Sequence, residues 1–449
     1  MTRVMRTVSA AIFRVRKPGV VRIVRELEAR QWWPRQKLAE LEDRRTRDLA
    51  TFAATKISYY RDLFERHGVV PETMVLPDDW ERLPILTRED LRTHSEDLYS
   101  NEPVRGVPLV MSSGGSTGEP VSFLVEQVQF DVAEAILALA FSWSGWRFGE
   151  PALSLWGGKA NLSPSSGLRE RLKTKLSGNV TLPVYAYDES AMAFWWQTME
   201  RYRPTVIYAY ASVAADFARW LLAERKRPSG VKGVFCSAEM LLPEFRTTIE
   251  EAFGCKVFNQ YGSRETPAVA CECEAGNLHV FSDLNRVEYA GPTEDGDGAS
   301  RILITPLYRR AQPLIRYDLG DLARPAAADC PCGRGYPLME GIAGRQCDFF
   351  LAPNGKKIYP TFFVRQLYGR DWIRQYQFRQ ESPGQVQLLL ELVDAGTGRD
   401  RVGVLVAELL PSLRSLMGHE VELVARVVSS IPRTKVGKHR FVINQMGID

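Results

Sequence analysis

Between two apolar runs lies Ser112-Ser113-Gly114-Gly115-Ser116-Thr117-Gly118-Glu119-Pro120. Glycine permits tight turns and removes side-chain bulk, so such a loop wraps main-chain N–H groups and short hydroxyls around an anion. That is chemistry for gripping a polyphosphate. It is not a G-x-x-x-x-G-K-[ST] loop, because Glu119 follows the last glycine where a lysine belongs. On composition alone, a flexible Gly/Ser linker is the alternative. Further segments follow in order: Tyr261-Gly262-Ser263-Arg264-Glu265, Arg316-Tyr317-Asp318-Leu319-Gly320-Asp321, Gly344-Arg345-Gln346-Cys347-Asp348 and Ile431-Pro432-Arg433-Thr434-Lys435-Val436-Gly437-Lys438. Any one of them alone reads as a surface turn. The ordered set does not.

The cysteines carry a second chemistry. Of the seven, Cys271 and Cys273 form one tight pair and Cys330 and Cys332 another, while Cys236, Cys255 and Cys347 are scattered. That is no disulfide scaffold, and tight pairs without a secretory signal point to thiolate ligands in a reducing cytosol. Together with His279, the pairs can surround one Zn²⁺ tetrahedrally. Buried thiols without metal are the alternative.

These residues need a large scaffold. A chain of 449 residues exceeds one core and implies two or three domains. With 45% hydrophobic and 25% charged residues it reads as a globular protein, and no run of about eighteen apolar residues is long enough to span a membrane. A net charge of +4 is too small to imply a nucleic-acid partner. The N-terminus stands apart: Arg3, Arg6, Arg14, Arg16, Lys17, Arg22 and Arg25 precede any acid, with Val4, Val8, Ala11 and Ile12 interleaved and Pro18 following. A basic arm packed on the domain and a helix touching a membrane surface both fit this pattern. The apolar stretch is too short and interrupted for a signal peptide.

Leu38, Leu41, Leu49 and Phe52, then Ile57, Tyr60, Leu63 and Phe64, recur at helical spacing, with Gly68 as a stop. Thr87 and Asp90 are spaced to open another helix. β-rich runs at 107–111, 121–125, 206–210, 231–236 and 256–260 alternate with helical stretches at 212–225 and 243–253, which argues for open α/β sheets. Residues 286–289 and 301–307 read as a strand pair across a glycine-rich turn. The texture changes after Arg345. A hairpin across Pro353-Asn354-Gly355, a strand pair around Ser382-Pro383-Gly384, a helix near 401–416 and a strand at 421–428 suit a small α+β domain.

The ordered segments, with Tyr59-Tyr60-Arg61, Leu83-Pro84-Ile85-Leu86-Thr87 and Ser237-Ala238-Glu239, resemble the adenylate-forming superfamily over nearly the whole chain. The likeness is strongest to the phenylacetate–CoA ligase branch and its CapK-like relatives. It implies an α/β fold: a large multi-layer N-terminal domain over residues 1–345, including the basic arm at 1–34, and a small mobile α+β lid over 346–449 that carries the catalytic lysine. It further implies that Ser112, Ser113, Gly114, Gly115, Ser116, Thr117 and Gly118 hold the β- and γ-phosphates of ATP. Tyr261 and Gly262 would lie at the adenine, Asp321 on the ribose hydroxyls and Arg345 at the ribose–phosphate. Glu265 would help bind Mg²⁺, Asp348 would be the hinge, and Lys438 would neutralise charge developing on the carboxylate and α-phosphate. Arg264 departs from the family's Thr or Ser; it would bind the α-phosphate or pair with Glu265.

By the same resemblance, a structural Zn²⁺ falls to Cys273, His279, Cys330 and Cys332, with Cys271 as the substitute. The acyl pocket involves Tyr208, Tyr210, Ser212, Ser237 and Glu239, with Trp143, Trp146 or Trp156 nearby. Ten tryptophans suit an aromatic acid, but at this density aromatics read first as core. The implied activity is an AMP-forming ligase that activates a small carboxylic acid with ATP and passes the acyl group to coenzyme A. An amine or sugar acceptor is the rival within the family, and a non-catalytic nucleotide-binding protein the rival outside it.

Overall fold

The computed structural model describes residues 13, 15–102, 104, 106–112, 121–157, 174, 178–184, 187–292, 299–326, 328–342, 344–345, 350–353, 357–358, 363, 366–367, 370–432 and 439–446. Helical spacing of apolar residues builds the N-terminal part. Arg35–Lys56 buries Leu38, Leu41, Leu49 and Ala53, and Ser58–His67 buries Tyr60, Leu63 and Phe64. Gly68 ends the latter at φ +60°, a conformation that glycine adopts without strain. Thr87 and Asp90 form a reciprocal capping box that opens Arg88–Thr93.

From Pro18 onward the basic arm is a helix, Pro18–Arg30, packed on the protein. Val20, Ile23, Val24 and Leu27 enter one core with Ile136 and Leu139 of helix Gln127–Trp143. Lys17 pairs with Glu134, and Arg30 with the buried Asp283 at 3.3 Å. Residues 3–12 of the arm lie outside the described residues.

Among the described residues the central sheet has nine strands. Five of them, Asn179–Pro183, Ala152–Trp156, Val206–Tyr210, Gly233–Ser237 and Lys256–Tyr261, run parallel in that spatial order. Beyond Lys256–Tyr261 the sheet turns antiparallel through Ala270–Glu272, Leu278–Val280, Leu338–Met339 and Pro325–Ala326. Helices Ala211–Ala223 and Pro243–Phe253 connect the parallel strands, as the alternation predicts. The sequence reading passed over Ala152–Trp156, Asn179–Pro183 and the helices Gln127–Trp143 and Glu189–Tyr202.

A second, antiparallel sheet holds Asn285–Pro292, Ser300–Pro306, Tyr317–Ala323 and Gly344–Arg345. The two β-rich runs flanking the glycine-rich loop pair as a hairpin, Leu109–Ser112 with Ser122–Val125, and Ser112 opposite Ser122 is its last pair before the loop. Past residue 345, a short hairpin pairs Phe350–Leu351 with Lys357–Ile358. A four-stranded sheet follows, ordered Glu422–Val427, Gln385–Leu392, Ile373–Ser382, Val442–Asn444. Its helix, Ala395–Met417, is longer than the 401–416 read from sequence. Leu388, Leu409 and Val442 of this part join Ile207, Phe217 and Phe245 of the parallel sheet and its helices in one apolar cluster.

Candidate functional site

In an open parallel sheet, side chains at the carboxyl ends of the strands face a common crevice. Here those ends bring together Trp156, Tyr208, Tyr210, Ser237, Gln260 and Tyr261. Trp156 stacks on Tyr208 at 4.6 Å between ring centroids and packs on Tyr210 at 4.3 Å. The Tyr208 hydroxyl donates to Gln260 Oε1 at 2.9 Å. These contacts build an aromatic wall from residues that sequence reading assigned to the acyl pocket. Trp143 and Trp146 are spent differently: Trp143 Nε1 donates to Gln31 and Trp146 Nε1 to the Glu150 carbonyl.

The Tyr261 hydroxyl donates to Asp321 Oδ2 at 2.9 Å, and both residues are buried. Asp321 in turn stands opposite Arg345 in strand register. After Tyr261 the chain turns sharply. A Cβ on Gly262 would lie 2.7 Å from the Pro267 carbonyl oxygen, so only glycine fits. The turn is closed by Ser263 N–H to the Thr266 carbonyl at 2.9 Å and by the Ser263 and Thr266 hydroxyls at 3.1 Å. It leaves Arg264 exposed and buries Glu265, whose Oε1 has no hydrogen-bond partner among the described residues. A buried, unpartnered carboxylate oxygen is what a hard cation would complete.

Sequence reasoning missed the residues that hold this turn to the glycine-rich hairpin. Arg309 is fully buried and donates to the carbonyls of Glu265, Leu124 and Gln312 at 2.7, 2.9 and 2.9 Å. Burial pulls its pKa below the ordinary arginine value. Gln312 Oε1 accepts the Leu124 N–H at 2.8 Å, and Glu126 Oε1 accepts those of Arg310 and Ala311 at 2.5 and 3.0 Å. The signal available was an arginine pair in a run without acids from Ile302 to Tyr317. Such cations must find main-chain partners when buried.

Glu239 links distant parts of the chain. It follows Ala238, held at φ +68°, a conformation costly for a residue with a Cβ. Its Oε2 accepts the Ser212 N–H at 2.9 Å and its Oε1 the His439 N–H at 2.6 Å. His439, also missed in sequence, is buried, with Nε2 3.0 Å from the Tyr376 carbonyl and its ring 4.5 Å from Phe441. The loop residues Ser113, Gly114, Gly115, Ser116, Thr117 and Gly118, and also Asp348 and Lys438, lie outside the described residues; Ser112 and Arg345 are placed by their backbones alone.

Cys273, His279, Cys330 and Cys332 meet with their ligand atoms all within 4.8 Å of one another. Cys273 Sγ lies 3.5 Å from Cys330 Sγ, and Cys332 Sγ lies 3.3 Å from His279 Nε2. Burial pushes the Cys273 thiol up to about 12 and lowers His279 to about 4, so the imidazole is neutral at pH 7. His279 Nδ1 sits 3.3 Å from the Tyr336 carbonyl, which directs Nε2 toward the thiols. Burial opposes ionisation of Cys330 as well, but hydrogen bonds involving Cys332, Asn277 and Cys273 bring that thiol below its ordinary value. Cys271 is not in the group: it is fully buried, with Sγ 3.6 Å from the Glu272 carbonyl.

The fold is that of the adenylate-forming CoA ligases. A 2-hydroxyisobutyryl-CoA ligase in its postadenylation state, in complex with R3-HIB-AMP, superposes with a TM-score of 0.73 at 23% identity, covering 93% of this chain and 91% of the ligase. In its thioesterification state the same ligase gives 0.56 at 24% identity, over 92% and 91% of the two chains. The AMP-binding enzyme family matches residues 176–292, and the CapK C-terminal domain matches residues 350–445. Through these two segments the chain is similar to the adenylate-forming superfamily, in the branch of phenylacetate–CoA ligases and CapK. A phenylacetate-coenzyme A ligase of Thermus thermophilus is 28% identical over 73% of this chain and 74% of its own. Protein CapK of Staphylococcus aureus is 21% identical over 91% and 90%.

Proposed function

We propose that the protein activates a carboxylic acid with ATP, forming an acyl-adenylate and pyrophosphate, and transfers the acyl group to the thiol of coenzyme A. The observation that carries this reading is the Tyr261–Asp321 hydrogen bond at the carboxyl end of the parallel sheet, beside an aromatic wall. An aromatic face suits adenine, and a buried carboxylate suits paired ribose hydroxyls. The carboxylate substrate would attack the α-phosphate, and the thiol would then displace AMP. Ser112–Gly118 would bind the outer phosphates, Arg345 the ribose–phosphate, and Lys438 the developing charge. Arg264, exposed beside Glu265, fits a phosphate contact. Glu265 would hold Mg²⁺, which supplies charge neutralisation on the phosphates. The lid would comprise residues 346–449 hinged at Asp348, a division supported by a C-terminal sheet built wholly from residues after 372.

The test is pyrophosphate release across aryl, fatty and amino acids, with and without coenzyme A. Thioester formation with one acid class is expected; wild-type protein inert across the panel refutes the reading. The rival acceptor is an amine or a sugar hydroxyl. Acyl-AMP formation without any CoA-dependent thioester would select it.

Cys273, His279, Cys330 and Cys332 fit a structural Zn²⁺. Tetrahedral zinc with bonds near 2.3 Å separates its sulfur ligands by about 3.7 Å, close to the 3.5 Å found between Cys273 and Cys330. Four protein ligands leave no open position for catalysis. Elemental analysis should find about one zinc per chain; a stoichiometry near zero in protein never exposed to chelator refutes the site.

A further inference from the structure

The amide that Glu239 holds belongs to the peptide bond joining Lys438 to His439. We propose that Glu239 is a positioning residue that fixes this peptide for the adenylation half-reaction and releases it for acyl transfer. The proposal rests on the ligase reading above.

One carboxylate oxygen is committed to the sheet side. Ser212 lies in the first turn of helix Ala211–Ala223, where main-chain N–H groups lack intrahelical partners, and Glu239 Oε2 takes its N–H. The positive end of the helix favours the ionised carboxylate. The left-handed backbone at Ala238 holds that carboxylate at the helix end. The other oxygen, Oε1, faces the C-terminal sheet and receives the His439 N–H, 200 residues away in sequence. His439 transmits the constraint to its own lobe through the Tyr376 carbonyl and Phe441, and Phe441 reaches Phe245 across the interface at 6.4 Å. With both oxygens committed, Glu239 fits a lobe anchor better than a contact to substrate. The anchor is engaged in this structure, and any rotation that carries the C-terminal sheet away from Ser212 must break it.

Two variants separate the acceptor from its packing. Glu239→Ala removes the side chain. Glu239→Gln keeps the shape but offers one acceptor oxygen and turns an NH₂ donor against the second N–H. For both we expect acyl-AMP formation, read as pyrophosphate release, to slow by roughly 10- to 100-fold, the value of a hydrogen bond to a charged acceptor. Thioester formation from pre-formed acyl-AMP and coenzyme A should stay within about twofold of wild type. Hydrogen exchange of peptides covering residues 439–446 should accelerate in Glu239→Gln. Equal loss in both half-reactions, a wild-type adenylation rate in Glu239→Gln, or unchanged exchange over 439–446 would each overturn the proposal. A wild type inert toward every acid would sink the ligase reading instead, and the exchange measurement would still decide whether the tether exists.

Discussion

Replacing Arg309 with methionine would remove hydrogen bonds to the carbonyls of Glu265, Leu124 and Gln312 from a fully buried site. Two effects oppose each other. Keeping a guanidinium out of water costs several kcal/mol, and methionine avoids that cost. Against it, each carbonyl left without a donor in a site closed to water costs about 1–3 kcal/mol. Methionine fills much of the same volume, so lost packing is secondary. The orphaned carbonyls outweigh the relieved charge, and the net loss should be about 3–5 kcal/mol. Arg309→Lys should recover only part of it, because one ammonium cannot reproduce a planar fork aimed at separated carbonyls.

Urea unfolding followed by tryptophan fluorescence reads the stability, and the KM for MgATP reads the site. Because Arg309 ties the Glu265 turn to strand Ser122–Val125, KM should rise roughly tenfold or more in Arg309→Met. A variant within about 1 kcal/mol of wild type, with unchanged KM, would show that these bonds do not organise the site.

Tyr261→Phe deletes the donor to Asp321; AMP affinity measured by calorimetry should fall roughly tenfold, and an unchanged Kd would remove this pair from the nucleotide site. Gly262→Ala sets a Cβ against the Pro267 carbonyl and must open the turn, lowering stability by about 1–3 kcal/mol in the same urea assay. Burial raises Glu42 to about 7, with Arg286 opposing and Asp43, Glu288 and Asp283 adding to the shift. The folded state therefore holds a proton that the unfolded chain releases, and stability present near pH 4.5 is lost as pH rises through about 7. Glu42→Gln should flatten that decline and be more stable at pH 8 by about 1–3 kcal/mol; parallel stability–pH curves for the two proteins would contradict it.

Where neighbouring residues decide a feature, the sequence was readable. Val206–Tyr210 and Pro243–Phe253 match their strand and helix because each is a short patterned run between turn signals. The capping box at Thr87 and the turn at Pro353 are likewise local. Gln127–Trp143 was missed because Phe130, Leu137 and Phe141 make the other faces apolar beside the helically spaced Val132, Ile136, Leu139 and Trp143, which blurs the helical period. Among site residues, the ligand types of Cys273, His279, Cys330 and Cys332 were visible, as was the aromatic character of Tyr208 and Tyr210. Glu239 was singled out in sequence, but its partners were not readable, since they are main-chain N–H groups, which any residue but proline carries. Arg309 was silent for a related reason: its partners are all carbonyls, and its burial depends on strands far away in sequence.

The Cys/His cluster and Arg309 act on one structural unit from opposite ends. Strand Ala270–Glu272 has three residues, too few to hold a register alone. It nevertheless sets Ala270 opposite Tyr261 and Cys271 opposite Gln260. One end of this pairing runs into Cys273, beside His279, Cys330 and Cys332. The other is the turn at 262–266, which Arg309 clamps through the Glu265 carbonyl. Tyr261 ends a strand paired with Gly233–Ser237 and Ala270–Glu272, and Glu265 lies in the turn beyond it. Both are positioned by cross-links to residues beyond 300, and that distance in sequence lets a short, ordinary-looking segment present an aromatic face and a buried carboxylate in fixed relation.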